Sequence, residues 1–164
     1  MSTAYLLTGG NLGNRSAYLA EAREKIEARC GHIISASSVY ETAAWGLHDQ
    51  PSFFNQALKI ATELEPGQLM QALLDIETQM GRTRAVKMGP RTIDLDILLI
   101  DDLIISDNLL TVPHPSLPQR RFALLPLAEI APLLVHPVLH KTIYELLEVC
   151  TDNLDVQKKS PDGN

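Results

Sequence analysis

A chain of 164 residues with 45% apolar and 21% charged side chains can bury one substantial core but not two, so one domain over residues 1–150 with a polar tail at 151–164 is expected. A formal net charge of -6 argues against a nucleic-acid partner, whose phosphates call for many exposed cations. No window approaches the roughly 20 apolar residues of a membrane helix, MSTAYLLTGG lacks the basic start and apolar length of a signal peptide, and Cys30 and Cys150 stand far apart without metal-ligand spacing, which together point to a cytoplasmic protein with reduced thiols and no membrane partner.

Residues 4–8, AYLLT, read as a short buried strand ending at Gly9-Gly10. Asn11 or Asn14 then caps a helix over about 15–29, with Ala22, Ile26 and Ala28 on its apolar face and Gly31 as its stop. IISASSVYE (33–41) reads as one strand, and FFNQALKIATEL (53–64) as another, with Phe53, Asn55, Ala57 and Lys59 on one face. Pro66 opens a second helix that places Leu69, Leu73, Ile76 and Met80 at helical spacing before Gly81. The strand TIDLDILLI (92–100) follows.

The order β-α-β-β-α-β is that of a ferredoxin-like α+β fold, an antiparallel sheet with its helices on one face and the other face free for a site. Beyond it come a proline-rich loop, TVPHPSLPQRRF, and extra C-terminal helices over FALLPLAEIA and TIYELLEVC. Residues 151–164 read as a frayed polar tail, and no internal repeat is present.

Within GPRTIDLDILLI, Asp94 and Asp96 share a strand face with Cα atoms about 6.6 Å apart. At an effective dielectric of about 20 two such carboxylates repel by roughly 2 kcal/mol, which calls for a raised pKa or a cation such as Mg²⁺. A charged open face that blocks edge-to-edge aggregation would explain the pair equally well. The neighbouring Arg82, Arg84, Lys87 and Arg91, four of the chain's 14 cations with no carboxylate among them, favour a Mg-nucleotide site over a solvated linker. His114, Arg120 and Arg121 downstream add to that equipment. Neither a P-loop nor a dinucleotide fingerprint is present, so phosphates must be held by side chains, chiefly arginine.

In the Ile93, Leu95, Ile97, Leu99 alternation, the apolar residues face the helices and the aspartates face outward. Phe53 and Asn55 on the neighbouring face form either a core edge or a shelf for a planar heteroaromatic ligand, with Phe122 as a second stacking ring. Nucleotidyl transfer and a ferredoxin-like small-molecule sensor are alternative readings of the same residues.

GPRTIDLDILLI, with TVPHPSLPQRRFALLPLAEIAP, ETAAWGLHDQPSFFNQAL and IETQMGRTR, resembles the 6-hydroxymethyl-7,8-dihydropterin pyrophosphokinases of folate biosynthesis from about Tyr5 to about Pro137. The resemblance implies a ferredoxin-like fold and transfer of pyrophosphate from MgATP to the pterin, with release of AMP. Asp94 and Asp96 match the ligands of two Mg²⁺ ions, and Arg82 and Arg84 match a closing catalytic loop. Glu77, Arg91, Ile97, Thr111, His114 and Arg120 match the ATP site; Thr42, Ala44, Trp45, Phe53, Asn55 and Phe122 match the pterin pocket. The implied partners are the two small-molecule substrates, met by a monomer. Several positions depart from the family's pattern. Ala43-Ala44 stand where a proline pair is common, and Met88 where an aromatic precedes G-P-R. Phe53 replaces a frequent tyrosine, and Leu109 or Leu110 a frequent cation.

Overall fold

The computed structural model describes residues 1–43, 51–81 and 92–159. The elements follow in the order β1 (Ser2–Gly10), α1 (Arg15–Arg29), β2 (His32–Ala36), β3 (Tyr40–Thr42), β4 (Phe53–Thr62), α2 (Pro66–Gln79) and β5 (Asp94–Ile100). A small hairpin of β6 (Ile105–Ser106) and β7 (Thr111–Val112), a 3-10 turn (Leu117–Gln119), α3 (Arg121–Ile130), α4 (Ile143–Val149) and β8 (Val156–Lys158) complete the chain. The main sheet runs β5-β1-β4-β3-β8, β2 also pairs with β4, and every pairing is antiparallel. This is the ferredoxin-like arrangement, extended at one edge.

Local chemistry explains the element ends. The Asn14 side chain accepts the Ala17 N–H at 3.1 Å and so caps α1, whereas Asn11, the other candidate, donates to the Pro51 carbonyl at 3.0 Å. A capping box of Glu65 and Gln68 opens α2, and Gly81, at φ +84°, follows its end. The segment read as one strand over 33–41 is two strands. At the break the Ser37 hydroxyl oxygen accepts the Ala57 N–H at 2.9 Å, a side-chain bond competing with the regular ladder.

Two apolar clusters lie on opposite faces of the sheet. One joins Leu19, Ala22 and Ile26 of α1 and Leu69, Leu73 and Ile76 of α2 to Leu6, Leu58, Leu95 and Ile97. The other joins Leu124 and Leu127 of α3 and Ile143 and Leu146 of α4 to Tyr5, Leu7, Leu98 and Leu99. Each fully buried leucine contributes about 2 kcal/mol, so the second face is not left free as expected. Its apolar half had to be covered, and only its polar end stays open. The same strand corrects another expectation. The β1–β5 pairing passes from Leu6 opposite Ile97 to Tyr5 opposite Leu99, skipping Leu98. This bulge flips the phase, so Leu99 faces α3 and α4 rather than α1 and α2.

The polar tail also differs from the reading of it, because residues 156–158 pair with β3 as a sixth strand. Its backbone does the pairing while its side chains remain largely exposed, so it carries no apolar alternation to read. Cys30 and Cys150 are free and lie with clusters on opposite faces. Among the described residues no helix is long and apolar enough to cross a membrane.

Candidate active site

Residues directly opposite one another in an antiparallel ladder share a face, so the register alone assembles the site. Asp94 lies opposite Gly9, Gly9 opposite Asn55, Asn55 opposite Tyr40 and Tyr40 opposite Lys158. One row toward the buried end, Asp96 lies opposite Leu7. One row the other way, Phe53 lies opposite Thr42, and Thr42 opposite Val156. Asp94, Asp96, Asn55, Phe53 and Thr42 therefore occupy one face; alternation pairs the two aspartates, and Phe53 with Asn55, but does not place Thr42. Asp94 and Asn55 are two strands apart, roughly 10 Å at the usual strand spacing.

Between them Gly9 is constrained by space. A Cβ on Gly9 would stand 2.1 Å from Asn55 Nδ2, because the Asn55 carboxamide lies across the glycine. Asn55 Nδ2 donates to the Thr8 carbonyl at 3.3 Å, which orients the amide and leaves its oxygen and second N–H for a partner. Beside it, Thr42 Oγ1 is buried and has no hydrogen-bond partner among the described residues. An orphaned buried hydroxyl is costly, and this one lies next to Asn55 and the half-buried Phe53.

The carboxylate end is held from both sides of β5. Asp94 and Asp96 are half-buried. Glu77, 4% exposed, accepts the Leu95 N–H at 2.7 Å between them, reaching the outer edge of β5 from α2. Ile97 is buried in the helix-side cluster, so its side chain is turned away from the aspartate face and only its backbone can serve a ligand at the sheet edge. The chain returns along that edge, with Thr111 exposed on β7 and the His114 N–H donating to the Leu98 carbonyl at 2.9 Å.

His114 Nδ1 accepts the Ser116 N–H at 3.1 Å, which puts the ring proton on Nε2. Burial, then the Arg120 guanidinium, push the imidazole below its ordinary range, against a smaller opposite pull from Asp94. His114 is thus a neutral N–H donor in the neighbourhood of both Arg120 and Asp94. The Arg120 guanidinium lies 5.5 Å from the centre of the Phe122 ring, at the start of α3.

A partly exposed network that sequence reasoning did not anticipate ties α3 to this face. Glu129 accepts from the Tyr40 hydroxyl at 2.7 Å, the Ser38 N–H at 2.9 Å and the Ser38 hydroxyl at 3.1 Å, with Lys158 Nζ at 3.8 Å. Burial, then Glu129, push the Tyr40 phenol far up. Burial alone would raise the Glu129 carboxyl, yet Tyr40 and Ser38 hold it below the usual carboxylate range. Gly9 was also missed. Its only signal was the Gly-Gly pair ending AYLLT, read as a turn and found inside β1. Arg82, Arg84, Lys87, Arg91, Ala44 and Trp45 lie outside the described residues.

Paired carboxylates near an imidazole and an arginine, on one face with an amide and an aromatic ring, are a combination suited to a polyphosphate beside a flat heterocycle. The family model described as 7,8-dihydro-6-hydroxymethylpterin-pyrophosphokinase (HPPK) matches residues 5–132. The chain belongs to this family of diphosphokinases. It is 43% identical over 145 residues to the 2-amino-4-hydroxy-6-hydroxymethyldihydropteridine pyrophosphokinase of Aquifex aeolicus (strain VF5), covering 88% of this chain and 90% of the relative. Identity to the pyrophosphokinase of that name from Bacillus subtilis (strain 168) is 44% over 128 residues, 77% of each. A folic acid synthesis protein of Dictyostelium discoideum is 41% identical over 84% of this chain, which spans only 21% of that longer protein. Among solved structures, a Plasmodium falciparum HPPK-DHPS with pteroate shares the fold at TM-score 0.73 and 18% identity, over 90% of this chain and 42% of the other.

Proposed function

We propose that the chain transfers the pyrophosphoryl group of ATP to the hydroxymethyl oxygen of 6-hydroxymethyl-7,8-dihydropterin, a step of folate biosynthesis. The new bond joins that oxygen to the β-phosphorus, the bond from the β-phosphorus to the α–β bridging oxygen breaks, and AMP leaves. One observation carries the reading: a single sheet face sets the Asp94 and Asp96 carboxylates two strands from Asn55, with Phe53 and the orphaned Thr42 hydroxyl beside the amide.

Each group has work suited to its chemistry. Asn55 offers an oxygen and an N–H to the edge of a pterin, Thr42 Oγ1 a further bond, and Phe53 and Phe122 ring faces for stacking. Ala44 and Trp45 complete the pocket by resemblance. His114 Nε2–H and Arg120 bind phosphate oxygens, joined by Arg91. Glu77, the Ile97 backbone and Thr111 line the outer edge of β5 for the nucleotide. Arg82 and Arg84 close over the polyphosphate, so Arg84→Ala should cut turnover more than ATP binding.

Two carboxylates on one face, all-oxygen donors, fit the hard-ion preference of Mg²⁺. Asp94 and Asp96 would hold the ions, two by resemblance, and bound magnesium supplies neutralisation of the polyphosphate charge. The chain's own part is to orient the pterin arm toward the aspartates and hold the phosphates in line. A monomer is the expected state by resemblance, and two free thiols suit a reducing cytoplasm.

Incubation with MgATP and the dihydropterin should yield AMP in step with pterin diphosphate. ADP as the nucleotide product would overturn the reading, and free pyrophosphate would mark a nucleotidyl transferase. Ligand binding indifferent to Mg²⁺, without turnover, would mark a sensor.

A further inference from the structure

The proposed pterin pocket stands on a short ladder of the sheet. β3 has three residues, and its last pair with β4, Thr42 opposite Phe53, is also the last rung before the loop that connects them. Such an end frays unless something else holds it. The two side chains of that rung face the pocket, so the flanking Glu41 and Phe54 face the other way, toward α1.

On that reverse face a set of charges joins four separate segments. Arg15, in the first turn of α1, donates from Nη1 to the Ser52 carbonyl and to Ser52 Oγ, both at 2.9 Å, and lies 3.4 Å from Glu41 Oε2. The Ser52 hydroxyl donates to the same Glu41 oxygen. Lys159, just past β8, reaches Glu41 Oε1 at 3.3 Å, and its N–H donates to the Val39 carbonyl at 2.8 Å. Arg15 and Lys159 both lie over the Phe54 ring, 3.9 and 5.5 Å from its centre. Phe54 itself is 1% exposed. Glu41 precedes Thr42 and Ser52 precedes Phe53, so the set grips both strands of the last rung at once.

We propose that Arg15, Glu41, Ser52 and Lys159 form a clamp behind the pocket that positions Thr42 and Phe53 and thereby sets affinity for the pterin, but not for ATP. The idea rests on the assignment of the pterin to this pocket. Among the described residues, none of the four touches the nucleotide end, where β5 is held by β1, Glu77 and the 111–114 segment. Releasing the rung should weaken pterin binding by on the order of tenfold.

The test compares Arg15→Ala, Glu41→Ala and the double variant as full-length proteins, with KM measured for each substrate and pterin affinity by calorimetry. The expected result is a pterin KM about tenfold higher in each single variant, with ATP KM and kcat within about twofold. The double variant should be little worse than either single one, because both break one network. Parallel rises in both KM values, or an unchanged pterin KM, overturn the clamp. Glu41→Gln keeps an acceptor for Ser52 while removing the charge, and carries the test if the alanine variants unfold. It should show a smaller rise confined to the pterin, and no rise overturns the proposal. Failure of the wild-type protein to release AMP with the pterin would defeat the functional reading instead, before any variant is made.

Discussion

The two ends of the site are built differently. The proposed nucleotide end rests on a seven-residue strand, β5, whose aspartates come from one short run of sequence and whose backbone is supported at Leu95 by Glu77 and at Leu98 by His114. The pterin end has no such unit. It is assembled from a three-residue strand, the first residues of β4 and a glycine of β1, and is braced from behind by residues as distant as Arg15 and Lys159. Binding charge needs charges on a rigid rod, whereas recognising a neutral heterocycle needs a shaped floor, which only several strands in register can supply.

The largest effect separates the ends outright. Asp96→Ala removes half of the carboxylate pair and should lower kcat by roughly 10³-fold or more while leaving pterin affinity, read by calorimetry, nearly intact. A matching loss of pterin affinity would mean the ends are not independent. Next, Gly9→Ala forces the Asn55 amide off its seat, since the added carbon would stand 2.1 Å from Nδ2. The expected rise in pterin KM is about 30-fold, close to that of Asn55→Ala, at the scale of a buried polar group left unpaired. Once Asn55 is alanine, Gly9→Ala should add little; a full further loss would assign the effect to β1 itself.

Thr42→Val sharpens the comparison further, because its effects on affinity and stability run in opposite directions. The valine keeps the shape and removes the orphaned hydroxyl, so the ligand-free protein should gain about 1 kcal/mol in denaturant unfolding while pterin affinity falls several-fold. A loss of both would show that the hydroxyl has a partner within the protein.

What the sequence disclosed follows the same division. Asp94 and Asp96 were legible because few physical reasons place two carboxylates in an apolar strand, and Phe53 and Asn55 because strict alternation puts them on one face. The order of elements was legible from the change of apolar period between strands and helices. Gly9 was not legible as a site residue, since its demand for space depends on a carboxamide 46 positions later across a strand pair. Nor was the turning of Leu99 toward α3, because a bulge leaves no mark on an alternating apolar run. The C-terminal helices were visible as helices, but nothing in their own period says which face of the sheet they cover. Arg82, Arg84 and Arg91 rest on their clustering in the sequence and on resemblance, and Ala44 and Trp45 on resemblance alone, as all five lie outside the described residues.

The smallest expected effect probes how far the brace over the pterin end matters to stability rather than to chemistry. Tyr40→Phe removes the hydroxyl that Glu129 accepts at 2.7 Å but leaves both Ser38 bonds in place, so unfolding should become easier by about 1 kcal/mol with kcat and both KM values within about twofold. The sign of the pH dependence follows from Glu129. Its folded carboxyl lies below the ordinary 4.5, so the unfolded chain takes up the proton first, and the stabilisation is complete above about pH 4.5 and lost as pH falls through the folded value. Part of that depression comes from Tyr40. The wild type and Tyr40→Phe stability curves should therefore run parallel at neutral pH and converge in acid. Curves that stay parallel to the lowest accessible pH would mean that the hydroxyl favours neither charge state of Glu129, leaving chiefly the two Ser38 bonds to account for its depression.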